Sequence, residues 1–387
     1  MKFRSGRTIV DAMATIAVCL LGVAPARAEA RPEQKPLMAE DVHKNVQVLR
    51  GIPEDEFMAT MGFFSASLAA NCTYCHVPES SGSWPKYADD TQLKQTTRMM
   101  IMMMNAINRE YFSGKRVVTC WSCHHGDELP AVTPDLADVY GVPHLVEPDE
   151  ITENAPGVPS ADQVLDKYIR ALGGPEQLAG LTSFVAKGTY QGFGDEKRPL
   201  EIFAKAPSAR TTIVHEPLGD TTRTFDGRAG WIAAPETNQP VPVLALTGGD
   251  LEGLQVDAQL AFPAHVKEAF SEWRVGLPVT VDDREVQVLQ GKSAGRLPVR
   301  LYFDKQSGLL VRQIRYTDSP VGLNPTQVDY ADYRDVSGVK MPFRWTVTWL
   351  DGRSTFELSE VKPNAPIDAA KFAKPAAPAP PARAAAQ

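Results

Sequence analysis

Two short stretches of the chain place a pair of thiols and an imidazole within five residues. Residues 72–76 read CTYCH and residues 120–124 read CWSCH, so the side chains concerned are Cys72, Cys75, His76, Cys120, Cys123 and His124. Paired thiols at this spacing form disulfides, bind zinc, or add to the vinyl groups of a haem. Haem attachment gives the histidine a role in both copies, because the imidazole then binds the iron. We therefore predict two covalently attached c-type haems, with iron as the metal.

The alternative chemistries explain fewer of these residues. A disulfide framework is typical of small exported proteins, but it gives no reason for a histidine directly after each pair. Zinc sites also use paired cysteines, yet the stretch between Cys75 and Cys120 is much longer than the spacing of a zinc ribbon. Disulfides and zinc remain the alternatives to haem.

The start of the chain predicts export. Residues 1–30 combine Lys2, Arg4 and Arg7 with an apolar stretch and end in small residues, which is the layout of a secretory signal peptide. Its cleavage removes Cys19 and leaves the four cysteines of the two motifs, while lipidation at Cys19 is the alternative. We expect the mature protein in the periplasm, with any membrane association made through its partners.

Upstream of the first motif, residues 53–71 have the periodicity of a helix. Phe57, Met61, Phe64 and Leu68 recur at helical spacing, so Met61 lies on an apolar face. A methionine thioether closes the iron in electron-transfer cytochromes, whereas an open sixth position favours reactions with peroxide or gases. Met61 is a candidate iron ligand, and the alternative is that it fills the core, since methionine packs well into irregular gaps.

Upstream of the second motif, residues 91–112 predict another helix, with five methionines at positions 99–104. One face of this helix is formed by Met100, Met103, Met104, Ile107 and Tyr111. One sulfur suffices to complete the iron coordination. From periodicity alone, Met100 and Met103 are equal candidates for the second iron.

The sequences around both motifs resemble those of a known family. They are NVQVLRGIPEDEF before the first motif, and TTRMMIMMMNAIN and VVTCWSCHHGDELP around the second. Over about residues 40–132 the chain resembles the cytochrome c subunit of the photosynthetic reaction centre. In that family a helix with a methionine precedes each C-x-x-C-H turn. The resemblance implies Met61 and His76 as axial ligands of the first haem, and Met100 and His124 of the second. The family has four motifs and this chain has two, so the resemblance covers one half of the subunit.

The composition changes beyond residue 132. Residues 133–158 are rich in proline and acidic residues and are predicted to form a linker. Residues 159–373 begin with a short helix capped by Ser160 and continue with strand patterns separated by turns, as at Asp351-Gly352. This strand spacing predicts a large antiparallel sheet. Residues 374–387 are rich in alanine and proline, and we expect them to be disordered.

The stretches YFDKQSGLLVR, YADYRDVSGVKMPFRWTV and EVKPNAPIDAAKF look like the outer-membrane lipoprotein carrier superfamily. That resemblance implies a half-barrel sheet with helices on its concave side and a cavity for acyl chains. A rigid β module that docks a partner is the alternative. The predicted fold is therefore multidomain, with a mainly α dihaem cytochrome domain at residues 36–132 and an antiparallel β half-barrel domain of the α+β class at residues 159–373.

The net charge and the lack of other catalytic motifs reduce the number of possible functions. A net charge of −7, without basic runs, argues against a nucleic-acid partner. The sequence has no Ser/His/Asp grouping, phosphate loop or flavin fingerprint, so we favour an electron carrier between periplasmic or membrane redox proteins over an enzyme. The alternatives are a haem enzyme with an open iron and a lipid carrier with accessory haems. A further histidine, His43, is expected to be solvated.

Overall fold

The computed structural model describes residues 35–141, 150–235 and 239–378. The predicted signal peptide and residues 379–387 of the predicted disordered tail lie outside these ranges. From Pro36 onward, the described residues belong to one compact unit. None of the helices in these ranges has the length and hydrophobicity needed to cross a membrane.

Short and long helices alternate in the N-terminal part. They are α1 (Ala39–Val42), α2 (Glu54–Leu68), α3 (Cys72–Cys75), α4 (Gln92–Tyr111), α5 (Cys120–His124) and α6 (Leu136–Tyr140), with 3-10 segments at Pro78–Gly82 and Trp84–Ala88. Acidic residues in the first turn of α2 complement its dipole. This helix ends before Ala69, which has a left-handed φ of 49°. Asn71, the last residue of the stretch with helical periodicity, lies beyond this helix and caps α3.

The C-terminal part is dominated by strands. Its helices are α7 (Ala161–Ala171), α8 (Pro175–Gly180) and α9 (Gly248–Leu260), with 3-10 segments at Pro263–Glu268 and Ala369–Phe372. Its strands are β1 (Ser183–Gln191), β2 (Lys197–Lys205), β3 (Ala209–Val214), β4 (Thr221–Phe225), β5 (Gly230–Ala233), β6 (Val243–Ala245), β7 (Glu272–Val275), β8 (Val279–Val281), β9 (Arg284–Lys292), β10 (Val299–Asp304), β11 (Leu310–Ser319), β12 (Gly322–Val336), β13 (Val339–Trp349) and β14 (Gly352–Pro363).

All of these strands join one antiparallel sheet. Its order is β6-β5-β4-β3-β2-β1-β14-β13-β12-β11-β10-β9-β7, and β8 pairs with β9. Neighbours in sequence are mostly neighbours in the sheet, as expected for strands joined by short turns. The predicted hairpin about Asp351-Gly352 is present, with Trp349 paired to Gly352. The predicted combination of helices with a large antiparallel sheet is confirmed.

The main core lies between one face of this sheet and the helices of the C-terminal part. Leu165 and Tyr168 of α7 are buried against sheet residues that include Ile202 and Phe303. Ser160 caps α7 reciprocally with Gln163, which fixes where the helix begins. Burial of these apolar side chains is the principal stabilising contribution.

A second core joins the helices of the N-terminal part to the turns of the sheet. It contains Leu49, Phe63 of α2, Ile101 and Met104 of α4, and Val321. Val321 lies in the two-residue turn between β11 and β12 and is fully buried. Turn residues usually lie on the surface, so this burial shows that the β11–β12 hairpin tip packs against the helices.

Candidate haem-binding site

Each cysteine pair lies on a single helical turn whose first residue is capped. The side chain of Asn71 accepts a hydrogen bond from the amide of Tyr74 at 3.1 Å, which begins α3. The hydroxyl of Thr119 accepts from the amide of Ser122 at 3.3 Å, and the Ser122 hydroxyl accepts from the Thr119 amide at 3.0 Å. These caps fix the turn, so the two thiols of each motif lie three residues apart on one helix face.

The two histidines are oriented in the same way. Nδ1 of His76 lies 3.2 Å from the backbone oxygen of Tyr87, and Nδ1 of His124 lies 3.1 Å from the backbone oxygen of Asp127. A carbonyl oxygen accepts a hydrogen bond, so in both cases it favours the tautomer with the proton on Nδ1. The other ring nitrogen, Nε2, is then unprotonated, which is the form in which an imidazole nitrogen binds a metal ion.

The environment of His76 favours the neutral imidazole. Burial and the nearby charge of Lys94 lower the pKa of His76. Nζ of Lys94 donates to the backbone oxygen of Tyr87 at 2.8 Å, which holds the cation close to the same carbonyl that orients His76. A neutral imidazole is the form that binds a metal ion.

The chemistry of the cysteines fits haem better than the alternatives. All four cysteines of the described chain are free thiols. Burial raises the pKa of Cys75, and it raises the pKa of Cys120 to about 11, so both side chains are neutral thiols. In residues 35–141, 150–235 and 239–378, no three His, Cys, Asp or Glu side chains are grouped to hold a metal ion. Two thiols and one oriented imidazole on each turn are the donor set of a covalently attached haem.

The candidate ligand methionines of α2 and α4 are not fully buried. On α2 the buried side includes Thr60 and Phe63, while Met61 is partly buried and packs against the second core. On α4 the buried side is formed by Ile101, Met104 and Asn108, which leaves Met100 and Met103 outside the core.

Both candidate methionines of α4 are accessible. Met100 is 39% exposed and Met103 is 48% exposed, so burial does not distinguish them. Of the face proposed from periodicity, Met104 packs into the core, whereas Tyr111 at the end of the helix is 77% exposed. The buried face of α4, which contains Ile101 and Asn108, is therefore shifted around the helix axis from the predicted face that contains Met100.

Each motif turn contacts the long helix that is nearer in sequence to the other motif. The end of α2 packs against α5, where the amide of Gly126 donates to the backbone oxygen of Ser67 at 3.0 Å. The beginning of α4 packs against α3 through a hydrogen bond from the Thr91 hydroxyl to the backbone oxygen of Cys75. This crosswise packing has no signal in the sequence, because nothing local specifies which helix contacts which turn.

An electrostatic effect also links the two motifs. The carboxylate of Glu128, shortly after the second motif, raises the pKa of Tyr74, inside the first motif, to about 12. The two predicted haem attachment points are therefore neighbours in one unit.

A histidine and a carboxylate beside α2 were missed by sequence reasoning. His43 was expected to be solvated, but Nε2 of His43 lies 2.8 Å from Oε1 of Glu54, and its ring stacks on Phe57 with centroids 5.1 Å apart. Glu54 is fully buried, and burial raises its pKa above the ordinary value. Pairing across eleven residues of loop and helix leaves no periodic signal.

Comparisons with known proteins find relatives of the N-terminal part of the chain. The family model of the photosynthetic reaction centre cytochrome C subunit matches residues 7–138. The reaction center cytochrome c subunit of Thermochromatium tepidum is 35% identical over 96 residues, which cover 24% of this chain and 22% of that protein. The subunit of Roseobacter denitrificans is 31% identical over 108 residues, covering 26% of this chain and 28% of that protein. The matched part thus spans about a quarter of these relatives.

Similar solved structures cover a different share of the chain. A LolA superfamily protein from Nitrosomonas europaea matches 56% of this chain and 99% of its own length, with 16% identity and a TM-score of 0.40. An outer membrane lipoprotein-sorting protein domain from Vibrio parahaemolyticus matches 54% of this chain and 97% of its own length, with 12% identity and a TM-score of 0.36. The resemblance of the N-terminal part of this chain to reaction-centre cytochrome c subunits, which was predicted from the sequence, is confirmed.

Proposed function

We propose that this protein is an exported dihaem c-type cytochrome that passes electrons between periplasmic or membrane redox partners. The observation that carries the proposal is the repeated turn, in which two free thiols precede a histidine whose Nδ1 faces a backbone carbonyl. A single such turn can arise by chance in a loop. Two copies with the same orientation of the imidazole support the proposal of two haem sites of one kind.

The chain's own residues have separate tasks at these sites. When bound, a c-type haem supplies one-electron redox chemistry. The attachment residues are Cys72 and Cys75 for the first haem, and Cys120 and Cys123 for the second. His76 and His124 would each offer Nε2 to the iron of one haem. Met61 and Met100 would supply the other ligand to each iron, with Met103 as the alternative to Met100.

In this proposal the chain has a signal peptide for export at residues 1–30 and a dihaem domain at residues 36–132. A linker at residues 133–158 leads to the sheet domain at residues 159–373, before the tail at residues 374–387. Filling the sixth position with a thioether keeps the iron closed to small molecules, which suits electron transfer rather than catalysis. We place the mature protein in the periplasm on the strength of the leader sequence.

The test is haem stoichiometry and ligation of the full chain, exported in a host with haem-attachment machinery. We expect two covalent haems per chain and a reduced visible spectrum that carbon monoxide leaves unchanged. A shift of that spectrum by carbon monoxide would contradict the closed iron and favour a haem enzyme. Absence of covalent haem would overturn the proposal and would favour a disulfide or a zinc site as the role of both cysteine pairs.

Adjacent histidines provide a matched control for the second site. His124 faces Asp127 with Nδ1 and is the proposed ligand, whereas the neighbouring His125 is exposed, with its ring 5.9 Å from that of Trp121. His124→Ala should alter the spectrum of one haem of the two, and His125→Ala should alter neither. Equal spectra for the two variants would exclude His124 as an axial ligand.

We also propose that the sheet domain takes up an apolar ligand. The observation that favours this role is a cavity of about 100 Å³ between the sheet and its helices. Its lining is mostly apolar, which is the usual character of a small-molecule pocket. A volume of this size is several times the roughly 10–15 Å³ that one water-sized sphere needs.

A further inference from the structure

The cavity beneath the sheet has a mostly apolar wall, and its charged lining residues are Arg210, Asp257 and Lys340. Its apolar lining includes Leu172, Phe184, Ile202, Leu260, Trp345 and Leu358. Arg210 of β3 lines the same cavity, and its guanidinium carbon lies 5.8 Å from the centre of the Trp345 ring. A cation placed among apolar groups is costly unless it is paired.

The neighbouring carboxylate does not neutralise Arg210. Nη1 of Arg210 lies 3.4 Å from the backbone oxygen of Asp257, not from its carboxylate. The carboxylate of Asp257 instead pairs with Nη1 of Arg315 at 3.2 Å. Burial lowers the pKa of Arg210, although Asp257 partly offsets this effect. Two guanidinium groups thus share one carboxylate.

The other polar groups at this end of the cavity are neutral or lie at the rim. The hydroxyl of Tyr330 donates to Oε1 of Gln313 at 3.1 Å, and the hydroxyl of Tyr333 donates to the backbone oxygen of Leu310 at 2.8 Å. Burial raises the pKa of both tyrosines, so neither supplies an anion. Lys340, the remaining charged lining residue, is exposed and adds a further positive charge.

We infer that the cavity binds a single-chain amphiphile with a carboxylate head group, whose alkyl chain follows the apolar lining and whose carboxylate pairs with the guanidinium of Arg210. This inference rests on the proposal that the cavity takes an apolar ligand, and it adds the charge of the head group and the residue that selects it. A guanidinium suits the role because its planar set of donors matches both oxygens of a carboxylate.

The test compares dodecanoate with dodecan-1-ol, two ligands with the same chain and different head groups. Each is titrated below its micelle concentration into the full haem-containing protein and followed by calorimetry. We expect the carboxylate to bind about tenfold or more tightly than the alcohol, because hydrogen bonds to charged groups are stronger than neutral ones. Equal affinities would overturn the role of Arg210 while leaving apolar binding intact. Binding of neither ligand would overturn both proposals about the cavity.

Variants of two arginines sharpen the result. Arg210→Gln should lower the affinity for dodecanoate to that for the alcohol, and Arg210→Lys should keep part of the difference. Arg334→Gln is the matched control, because Arg334 also lies over an aromatic ring, 4.6 Å from the centre of Phe343, but pairs with Asp332 at the surface. A preference for the carboxylate that survives in Arg210→Gln would exclude Arg210 as the head-group site. The comparison of the two ligands in the unaltered protein decides the question even where a variant fails to fold.

Discussion

The contact between α2 and the β11–β12 hairpin can be tested at one glycine. Gly322 begins β12, and a Cβ atom at this position would lie 2.2 Å from Cζ and 2.3 Å from Cε2 of Phe63. Phe63 is 7% exposed, so its ring has little room to move. We expect Gly322→Ala to lower the free energy of unfolding by about 1–3 kcal/mol, which is the usual cost of overpacking a core.

A double-mutant cycle separates this contact from a general effect of the substitution. Phe63→Ala alone should cost about 3–5 kcal/mol, because it leaves a cavity in the second core. In that background the cost of Gly322→Ala should fall below about 0.5 kcal/mol, since the ring that opposes the new methyl group is gone. The measurement is urea unfolding of the haem-containing protein, followed by circular dichroism.

The control is a glycine in open space. Nothing lies within 4 Å of a Cβ atom at Gly180, at the end of α8, so Gly180→Ala should leave the free energy of unfolding unchanged or slightly raised. If Gly322→Ala costs the same with and without the Phe63 ring, the reasoning is wrong, and the helices of the N-terminal part do not depend on this hairpin tip.

Three further predictions concern the methionine ligand of the second haem, the buried carboxyl group of Glu54, and the hydrogen bonds between Asp55 and Thr247. Met100→Ala should open the second haem to carbon monoxide while Met103→Ala should not; spectra unaffected by carbon monoxide in both variants would contradict the assignment. Burial raises the pKa of Glu54 above 4.5. The stabilising effect of Glu54, relative to Glu54→Gln, is therefore present below pH 4.5 and is lost as the pH rises through the raised pKa. Urea unfolding of both proteins at several pH values measures this difference. The carboxylate of Asp55 accepts hydrogen bonds from the amide and hydroxyl of Thr247, so Asp55→Ala should lower the free energy of unfolding by roughly 1.5–3 kcal/mol in the same assay.

Local signals in the sequence predicted the elements well. The methionine-rich helix was expected over residues 91–112, and α4 spans Gln92–Tyr111 with Thr91 as its cap. Ser160 was expected to cap a helix, and it does so for α7. Caps, periodicity and turn residues act within a few positions, so they can be read from one short stretch of chain.

Long-range packing was not predicted, because it depends on elements far apart in the chain. Periodicity placed Met100 and Met104 on one face of α4, but it did not indicate that the interior would take the side with Ile101 and Asn108. In the same way, His43 gave no indication of its pairing with Glu54. A helix with apolar residues on several sides can pack in more than one rotation, and tertiary contacts decide between them.

The second core changes how the two parts of the chain relate. Composition changes near residue 132, and the type of element changes with it, yet packing continues across this point. Val321 is fully buried among residues of α2 and α4, and Leu350, in the turn before β14, packs against the same cluster. A fragment that ended at residue 132 would lose both side chains and leave the second core incomplete. The sheet therefore does more than form a separate cavity: two of its turns complete the core on which the methionine-bearing helices rest, so the geometry proposed for the haem ligands depends on the sheet as well.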